Sequence, residues 1–533
     1  MSSPSVASDD KGRLSSQDSE RCGKTSLTTT LEPLDVLGPP VQTSSKLTES
    51  KASSILVDKT DTDVLIVDWD GPDDPQNPRN WSYKRKWAAT AIVSGFTFIT
   101  PVSSSMIAPA TDQLAAEFGI HSSVVIALST SMFVLAFAIG PLFLGPMSEI
   151  YGRSRVLQLA NLWYLAWNLG CGFVQNENQL LAFRFLAGLG GSAPFAIGGA
   201  VLADCWRPEE RGQAVALYSL APLLGPVIGP LVGAWIAEYS TWRWVFWSTS
   251  LVDAVIQISG LFFLQETYAP LLLERKANQI QQSMDEEKVP YQEVRTIFKG
   301  DDRSWQLIMS RALLRPFALV YHEPIMQLLC LYMAYVYGML YVFLTTIPPM
   351  FEQVYQQPVG VAGLHYIALG VGLVGASQMN ARTLDKIYVH FKNKNGGVGK
   401  PEFRLPSMFP ATLFLPIGCL ITGWTVQAHT HWIVPDIGIA LAGSGIIVSY
   451  QCIQTYALDA FTLHAASASA ALSCLRSLAG FAFPLYAPAM YSALGFGKGD
   501  TILALVAIVI GCPAPWIIWR YGERLRNTSR HAR

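Results

Sequence analysis

Polar and apolar positions divide the chain unevenly. Residues 1–80 are rich in Ser, Thr, Asp and Pro and poor in aromatics. That composition buries too little apolar surface to offset the entropy of ordering, so a disordered tail is expected. From Trp87 onward apolar runs recur to the end of the chain. Each approaches the roughly 20 residues that a helix needs to cross the hydrocarbon core of a bilayer. They fall at 87–107, 123–144, 156–174, 180–203, 213–236 and 244–264, then at 324–347, 360–380, 407–425, 432–456, 466–490 and 501–519. The pattern predicts an all-α membrane protein with twelve transmembrane helices. Six occupy 81–265, a polar loop over 266–320 follows, six more occupy 321–522, and 523–533 is a short tail. The eighth and tenth runs are rich in Gly and Ser, and Gly is commoner in membrane helices than in soluble ones.

Charge sharpens this picture. Half of the residues are hydrophobic and 14% are charged, against about 25% charged in a soluble domain. Cytoplasmic loops carry the excess of Lys and Arg. Lys84, Arg85 and Lys86 precede the first run, Arg153 and Arg155 follow the second, and Arg207 and Arg211 follow the fourth. The central loop, the loop from Arg382 to Arg404 and the C-terminal tail are basic too. The alternate loops hold little beyond Arg243 and Lys498. Both termini are therefore expected in the cytoplasm. The sequons Asn80-Trp-Ser82 and Asn527-Thr-Ser529 fall on that side, and neither is expected to carry glycan. The start, MSSPSVASDDKGR, lacks the apolar core of a secretory signal. An acidic stretch, Asp58 to Asp74, is either a solvated part of the tail or a regulatory segment. The eight cysteines show no metal or redox spacing and are read as packing residues. A net charge of −1 offers nothing to nucleic acid. No GxxxxGK[ST], GxSxG or HExxH occurs, which leaves ATP drive and catalysis without support.

Three local patterns carry more. The loop after the second run reads Gly145-Pro-Met-Ser-Glu149-Ile-Tyr-Gly152-Arg153-Ser-Arg155. Small residues permit a tight turn, and the acid and arginines can form ion pairs that break and re-form as two halves move. The fourth run holds Arg184-Phe-Leu-Ala187-Gly188-Leu-Gly190. An Arg inside an apolar helix is costly and marks function by default. The alternative is an Arg near the outer helix end that snorkels to the interface. The fifth run reads Gly225-Pro226-Val-Ile-Gly229-Pro230-Leu-Val-Gly233-Ala234. Glycines four apart share a helix face and allow close contact, while prolines bend the helix. A purely structural packing motif is the competing reading.

These patterns resemble the major facilitator superfamily, most nearly its fungal twelve-span drug:proton antiporter family, over roughly residues 76–526. Further matches are Asn77-Pro-Arg-Asn-Trp81, Glu266-Thr-Tyr-Ala-Pro270, Glu323-Pro324, Pro401-Glu-Phe-Arg404-Leu405, Leu458-Asp459-Ala460, Arg476-Ser-Leu-Ala-Gly480 and Arg520-Tyr-Gly522. Glu149 stands where Asp is commoner, Ser154 where a second base is common, and Ala187 where Gln is common. Ala234 closes a motif that the family ends in Gly-Gly. The resemblance implies two pseudo-symmetric six-helix bundles, alternating access around a central site, and a monomer in the lipid bilayer. It also implies a gating role for the loop, proton coupling at Arg184 and an antiporter seam along the fifth helix.

Proton coupling needs a titratable group within the membrane. Asp253, midway along the sixth run, is one; a structural hydrogen bond to a neighbouring helix is the other reading. Glu323 opens the seventh run and either titrates or caps the helix, since acids favour helix N-termini. Substrate contacts are expected from Tyr335 and Tyr341 of the seventh run and Tyr450 and Gln454 of the tenth. Packing or lipid-facing roles compete at each. No metal, cofactor or catalytic residue is expected. The reading is a proton-coupled exporter of small hydrophobic or amphipathic molecules, such as drugs, toxins or secondary metabolites, at the plasma membrane. The alternative is a polyamine or organic-cation antiporter, which acidic cavity residues would favour. A membrane enzyme would need clustered His, Asp or Cys, and a receptor or channel sits poorly with the six-plus-six plan.

Overall fold

The computed structural model describes residues 64–207, 210–287, 293–298, 305–461 and 464–528. The first half comprises α1 (Tyr83–Ser105), the short α2 (Thr111–Phe118), α3 (Ser123–Tyr151), α4 (Arg153–Cys171), α5 (Glu177–Gly191) with α6 (Ala193–Cys205), α7 (Arg211–Tyr239) and α8 (Arg243–Phe263). The connection holds α9 (Ala269–Glu287) and α10 (Trp305–His322). The second half comprises α11 (Pro324–Pro349), the short α12 (Val359–Leu364), α13 (Tyr366–Lys394), α14 (Met408–Gln427), α15 (Ile433–Ala460), α16 (Ala465–Gly511) and α17 (Pro513–Thr528).

Among the described residues, 10 stretches are long and apolar enough to cross a membrane. Two details reconcile that number with twelve. α4 falls short because one of its faces carries Ser154, Gln158, Asn161 and Asn168. α16 contains two helices, broken where Gly495 adopts φ 76° and ψ 168°, a geometry that disfavours any residue with a Cβ. Counting α4 and both parts of α16 agrees with the predicted twelve.

α8 shows why such helices belong in lipid. Leu251, Val255, Leu261 and Phe262 are exposed, while Thr249, Ser250, Asp253, Gln257 and Gly260 are buried. A helix on a water-soluble protein buries its apolar stripe; α8 presents it. Polar groups on α1 are satisfied locally. Thr90, Thr97, Thr100 and Ser105 each donate to the carbonyl four residues back, which replaces the water that hydrocarbon lacks. Each half has its own apolar core, with Val93, Phe96, Leu157 and Ile197 in the first and Leu329, Met339, Leu415 and Ile453 in the second. Val134 of α3 and Val227 of α7 pack into the second core. These two helices therefore form part of the seam between the halves. The buried free thiols of Cys171, Cys205, Cys330, Cys419, Cys452 and Cys474 fit a packing role.

Two segments differ from expectation. Residues 64–80, read as part of the disordered tail, are ordered. Strand β1 (Val64–Val67) pairs in parallel with β2 (Glu293–Thr296), Leu65 opposite Val294. Leu65, Val67 and Val294 bury against Ala277 of α9, and Lys276 reaches Asp70 at 2.7 Å and the Asp68 carbonyl at 2.9 Å. Four apolar residues within an acidic stretch suffice once a partner strand and a helix cover them. The connecting segment is likewise not a plain loop, since it holds α9, β2 and α10. The rest of the expected tail, 1–63, lies outside the described residues.

Asn80 belongs to the ordered segment. Its amide donates to the carbonyls of Pro72 at 2.7 Å and Asp74 at 3.1 Å, and its oxygen accepts from Arg207 at 3.0 Å. Expression in glycosylating cells followed by endoglycosidase treatment should leave the mobility unchanged. A shift lost on Asn80→Gln or Asn527→Gln would place that face of the protein outside the cytoplasm.

Candidate functional site

The Gly145–Arg155 loop folds around one turn. Gly152 separates α3 from α4 with φ 101° and swings Arg153 under the bundle. The Arg153 guanidinium lies 3.8 Å from Glu149 and 3.6 Å from Asp204 at the end of α6. It donates to Ser148 Oγ at 2.6 Å and covers the Tyr268 ring at 4.7 Å. Its backbone N–H donates to Glu266 Oε1 at 2.9 Å, the oxygen that also accepts from the N–H groups of Thr267 and Tyr268. A Cβ on Gly145 would meet no atom within 4 Å, and Arg155 is exposed. Spacing identified Glu149 and Arg153 as partners but not Asp204 or Glu266, which arrive from distant helix ends. A Cβ on Gly152 would lie 2.2 Å from Glu266 Oε2, at a φ that is itself unfavourable for an L residue. Gly152→Ala should cost about 2 kcal/mol or more and lower the thermal midpoint of the purified protein. An unchanged melting curve would show that the turn adapts.

The second half repeats this plan. Arg404, in the turn before α14, meets Asp385 of α13 at 2.7 Å and Asp459 at the end of α15 at 3.0 Å, and covers the Tyr388 ring at 4.4 Å. Burial opposes its charge, but the hydrogen bonds to Asp459 and Asp385 outweigh that and raise its pKa above the ordinary Arg value. Beside it, Glu402 holds Arg526 at 2.8 Å.

Arg184 of α5 is fully buried. Its Nε donates to the Ser129 carbonyl at 3.0 Å, Nη1 to that of Ser103 at 2.8 Å, and Nη2 to that of Ser104 at 2.8 Å. The Phe133 ring lies 4.6 Å away. The side chain therefore clamps α1 to α3 and does not snorkel.

A polar seam leads away from this clamp between α4 and α8. Ser103 Oγ donates to Asn168 at 2.8 Å, and Asn168 donates to Thr249 and Ser250, each at 2.9 Å. Tyr164, a turn along α4, is buried between this group and Asp253, within electrostatic reach of the carboxylate, and its hydroxyl has no hydrogen-bond partner among the described residues. Asp253 accepts from Asn161 at 3.1 Å on both oxygens. Asn161 also reaches Gln257 at 2.9 Å, Gln257 reaches the Gln158 carbonyl at 3.3 Å, and Gln158 donates to Ser154 and to the Leu264 carbonyl, each at 3.2 Å. Ser154 and Leu264 adjoin Arg153 and Glu266. Among the described residues Asp253 is the carboxylate midway along this path. Its bond to Asn161 is the structural tie between helices that the sequence offered as one of two readings. Glu323 is buried at the N-cap position of α11, where its side chain makes no capping bond.

The four expected cavity residues do not gather in one place. Tyr335 donates to the Leu503 carbonyl at 2.6 Å and packs α11 on α16, and Gln454 donates to Ser469 at 3.2 Å. Tyr341 instead meets Ser104 of α1 at 3.2 Å, across the two halves, and its ring lies 5.3 Å from that of Tyr337. Tyr450 accepts a hydrogen bond from Arg476 of α16. The Arg476 guanidinium stands 5.1 Å from the Tyr337 ring and 5.2 Å from the Tyr450 ring, with Tyr218 of α7 in electrostatic reach. Sequence reasoning placed Arg476 in a family pattern but not in the site. The available signal was the one that marked Arg184, a lone Arg in an apolar helix. Toward the other end of these helices a cavity of about 230 Å³ is lined by Thr130, Thr345, Pro348, Pro484, Asp112 and Glu352.

Comparison with known proteins gives a uniform result. A sequence family described as the Major Facilitator Superfamily matches residues 93–484. The chain is 46% identical over 475 residues to the efflux pump vrtL of Penicillium aethiopicum, covering 89% of this chain and 93% of that one. It is 42% identical to the MFS-type transporter penM of Penicillium rubens, covering 88% and 91%, and 40% identical to the efflux pump radE of Floropilus chiversii, covering 88% and 86%. Among solved structures, the xylose transporter XylE from E. coli in a partially occluded inward-open conformation matches with TM-score 0.60 at 16% identity, over 82% of this chain and 98% of that one. That likeness speaks to fold alone.

Proposed function

The chain belongs to the major facilitator superfamily and is a multi-pass membrane transporter, and from that premise we propose that it exports small hydrophobic or amphipathic molecules in exchange for protons. It does so at the plasma membrane as a monomer, with both termini in the cytoplasm. Export is supported by the relatives called efflux pumps. Proton exchange rests on one observation, the polar seam from the Arg184 clamp past Asp253 to the Arg153–Glu266 cluster. Protons cross hydrocarbon only along groups that can bind and release them. The mirrored clusters around Arg153 and Arg404 brace the cytoplasmic ends of the two bundles, and their ion pairs break and re-form as the bundles rock. Glu323, at the cytoplasmic start of α11, is a second proton acceptor on this reading.

The test is accumulation of a panel of fluorescent dyes in cells lacking their own pumps, with and without this protein and a protonophore. Severalfold lower accumulation, reversed by the protonophore, is expected. Unchanged accumulation with the protein present at the cell surface would defeat the export reading for that chemistry. A second reading, organic-cation or polyamine antiport, is favoured by Asp112 and Glu352 in the 230 Å³ cavity; spermidine in the same assay addresses it.

A further inference from the structure

The two membrane-buried arginines are provided for very differently. Arg184 is saturated by backbone carbonyls. Arg476 makes one hydrogen bond, to the Tyr450 hydroxyl, and its Nε has no partner among the described residues. No carboxylate of the described residues lies within ion-pair distance of it; its neighbours are the phenol rings of Tyr337 and Tyr450. A guanidinium carries five N–H donors in a planar fork that matches a carboxylate. Leaving such a charge unpaired inside a membrane protein is costly unless something else supplies the counter-charge. Arg476 is also partly accessible, although it lies eleven residues, about 16 Å of helix, from the start of α16. Arg184, by contrast, is fully buried.

We propose that Arg476, with the rings of Tyr337, Tyr341 and Tyr450, forms the substrate subsite for a flat aromatic carboxylic acid, bound as its carboxylate. The carboxylate takes the free edge of the guanidinium in a charge-assisted pair. The tyrosines supply ring faces for the aromatic body. Gly480 lets the α16 backbone approach them, since a Cβ there would stand 3.1 Å from both Tyr337 and Tyr341. The subsite also reaches the coupling machinery. Tyr341 is hydrogen-bonded to Ser104, whose carbonyl is held by Arg184. A ligand that moves Tyr341 therefore pulls on the clamp at the head of the proton seam. A positive centre at this point repels organic cations, which separates this inference from the polyamine reading.

The inference rests on the export reading but is tested apart from it. The purified full chain in lipid nanodiscs is titrated calorimetrically with three molecules of one shape, 2-naphthoate, methyl 2-naphthoate and 2-naphthylmethylammonium, against empty nanodiscs. The acid should bind at least about tenfold more tightly than the ester, and the ammonium more weakly than either. Arg476→Gln should reduce the acid-to-ester affinity ratio about tenfold, Arg476→Lys should restore part of it, and Tyr450→Phe should lower it a few-fold. An acid that binds no more tightly than its ester, or a ratio that Arg476→Gln leaves unchanged, overturns the proposal. Should Arg476→Gln fail to fold, the wild-type ratio and Tyr450→Phe decide. Dye accumulation that the protein does not lower would sink the export reading and leave this ratio to be judged on its own.

Discussion

Asp253→Asn is expected to lower efflux driven by a pH gradient by on the order of a hundredfold, the low end of what a positioned proton acceptor contributes. The amide keeps the size of the side chain and can still accept from Asn161, which holds the carboxylate at 3.1 Å. The α4–α8 seam therefore survives while the titrating group is lost. Reconstituted vesicles separate the two effects. Counterflow of substrate needs no net proton movement and should continue, whereas uptake driven by an imposed pH gradient should not. Arg184→Ala should fail in both assays, because it strips the donor from buried carbonyls of Ser103, Ser104 and Ser129 at once and each orphaned group costs about 1–3 kcal/mol. If Asp253→Asn combined with Arg184→Gln still drove uptake from a pH gradient, the proton path would run elsewhere. Asp500, buried in the second part of α16 and bound by Tyr491 at 2.5 Å, would then be the next carboxylate to replace.

Most of the architecture was legible because lipid leaves few choices. A chain in hydrocarbon must satisfy its backbone internally, so each apolar run becomes a helix, and the runs coincide with helices even at α4, whose face is polar. The twelfth run, 501–519, is the least faithful, since it straddles the end of α16 at Gly511 and the start of α17 at Pro513. Facing was much harder to read. Tyr337 and Tyr341 are four apart and share a face, but Tyr335 lies about 200° around the helix from Tyr337 and packs on α16 instead. Nothing local encodes which face of the helix turns inward, so Tyr335 and Tyr341 looked alike in the sequence. The polar seam was present in the sequence, at 154, 158, 161, 164 and 168 of α4 and 249, 253, 257 and 260 of α8. Most of these positions are polar or small residues scattered among apolar ones, and only the pairing of two helices reveals the line. Partners such as Arg153 with Asp204, or β1 with β2, join points far apart in the chain. No periodicity reports them.

The glycines of α7 give the other large effect. Gly225, Gly229 and Gly233 all face α1, where a Cβ would lie 2.5 Å from Pro101 Cγ, 2.7 Å from the Val102 carbonyl oxygen and 2.1 Å from the Met106 carbonyl oxygen. Pro226 and Pro230 lie between them, buried in the same helix. Gly233→Ala should therefore reduce efflux by at least about tenfold, with smaller losses for Gly225→Ala and Gly229→Ala, because backbone oxygen at 2.1 Å can yield only if the helices separate. Membrane helices associate largely through such close packing, so some loss of stability is expected as well. Gly199→Ala, on the exposed side of α6 with no atom within 4 Å of its Cβ, is the control and should match the native protein. The balance between the two losses carries the information. A packing motif alone predicts that transport falls in step with thermal stability across the series. A seam that slides during exchange predicts that transport falls further than stability, since α1 carries Ser103 and Ser104 of the Arg184 clamp and the contact with Tyr341. Displacing α1 by even a fraction of an ångström would then disturb the proton seam and the central site together. If Gly233→Ala behaved like Gly199→Ala in both measurements, α7 would have no antiporter role and the close approach would be incidental.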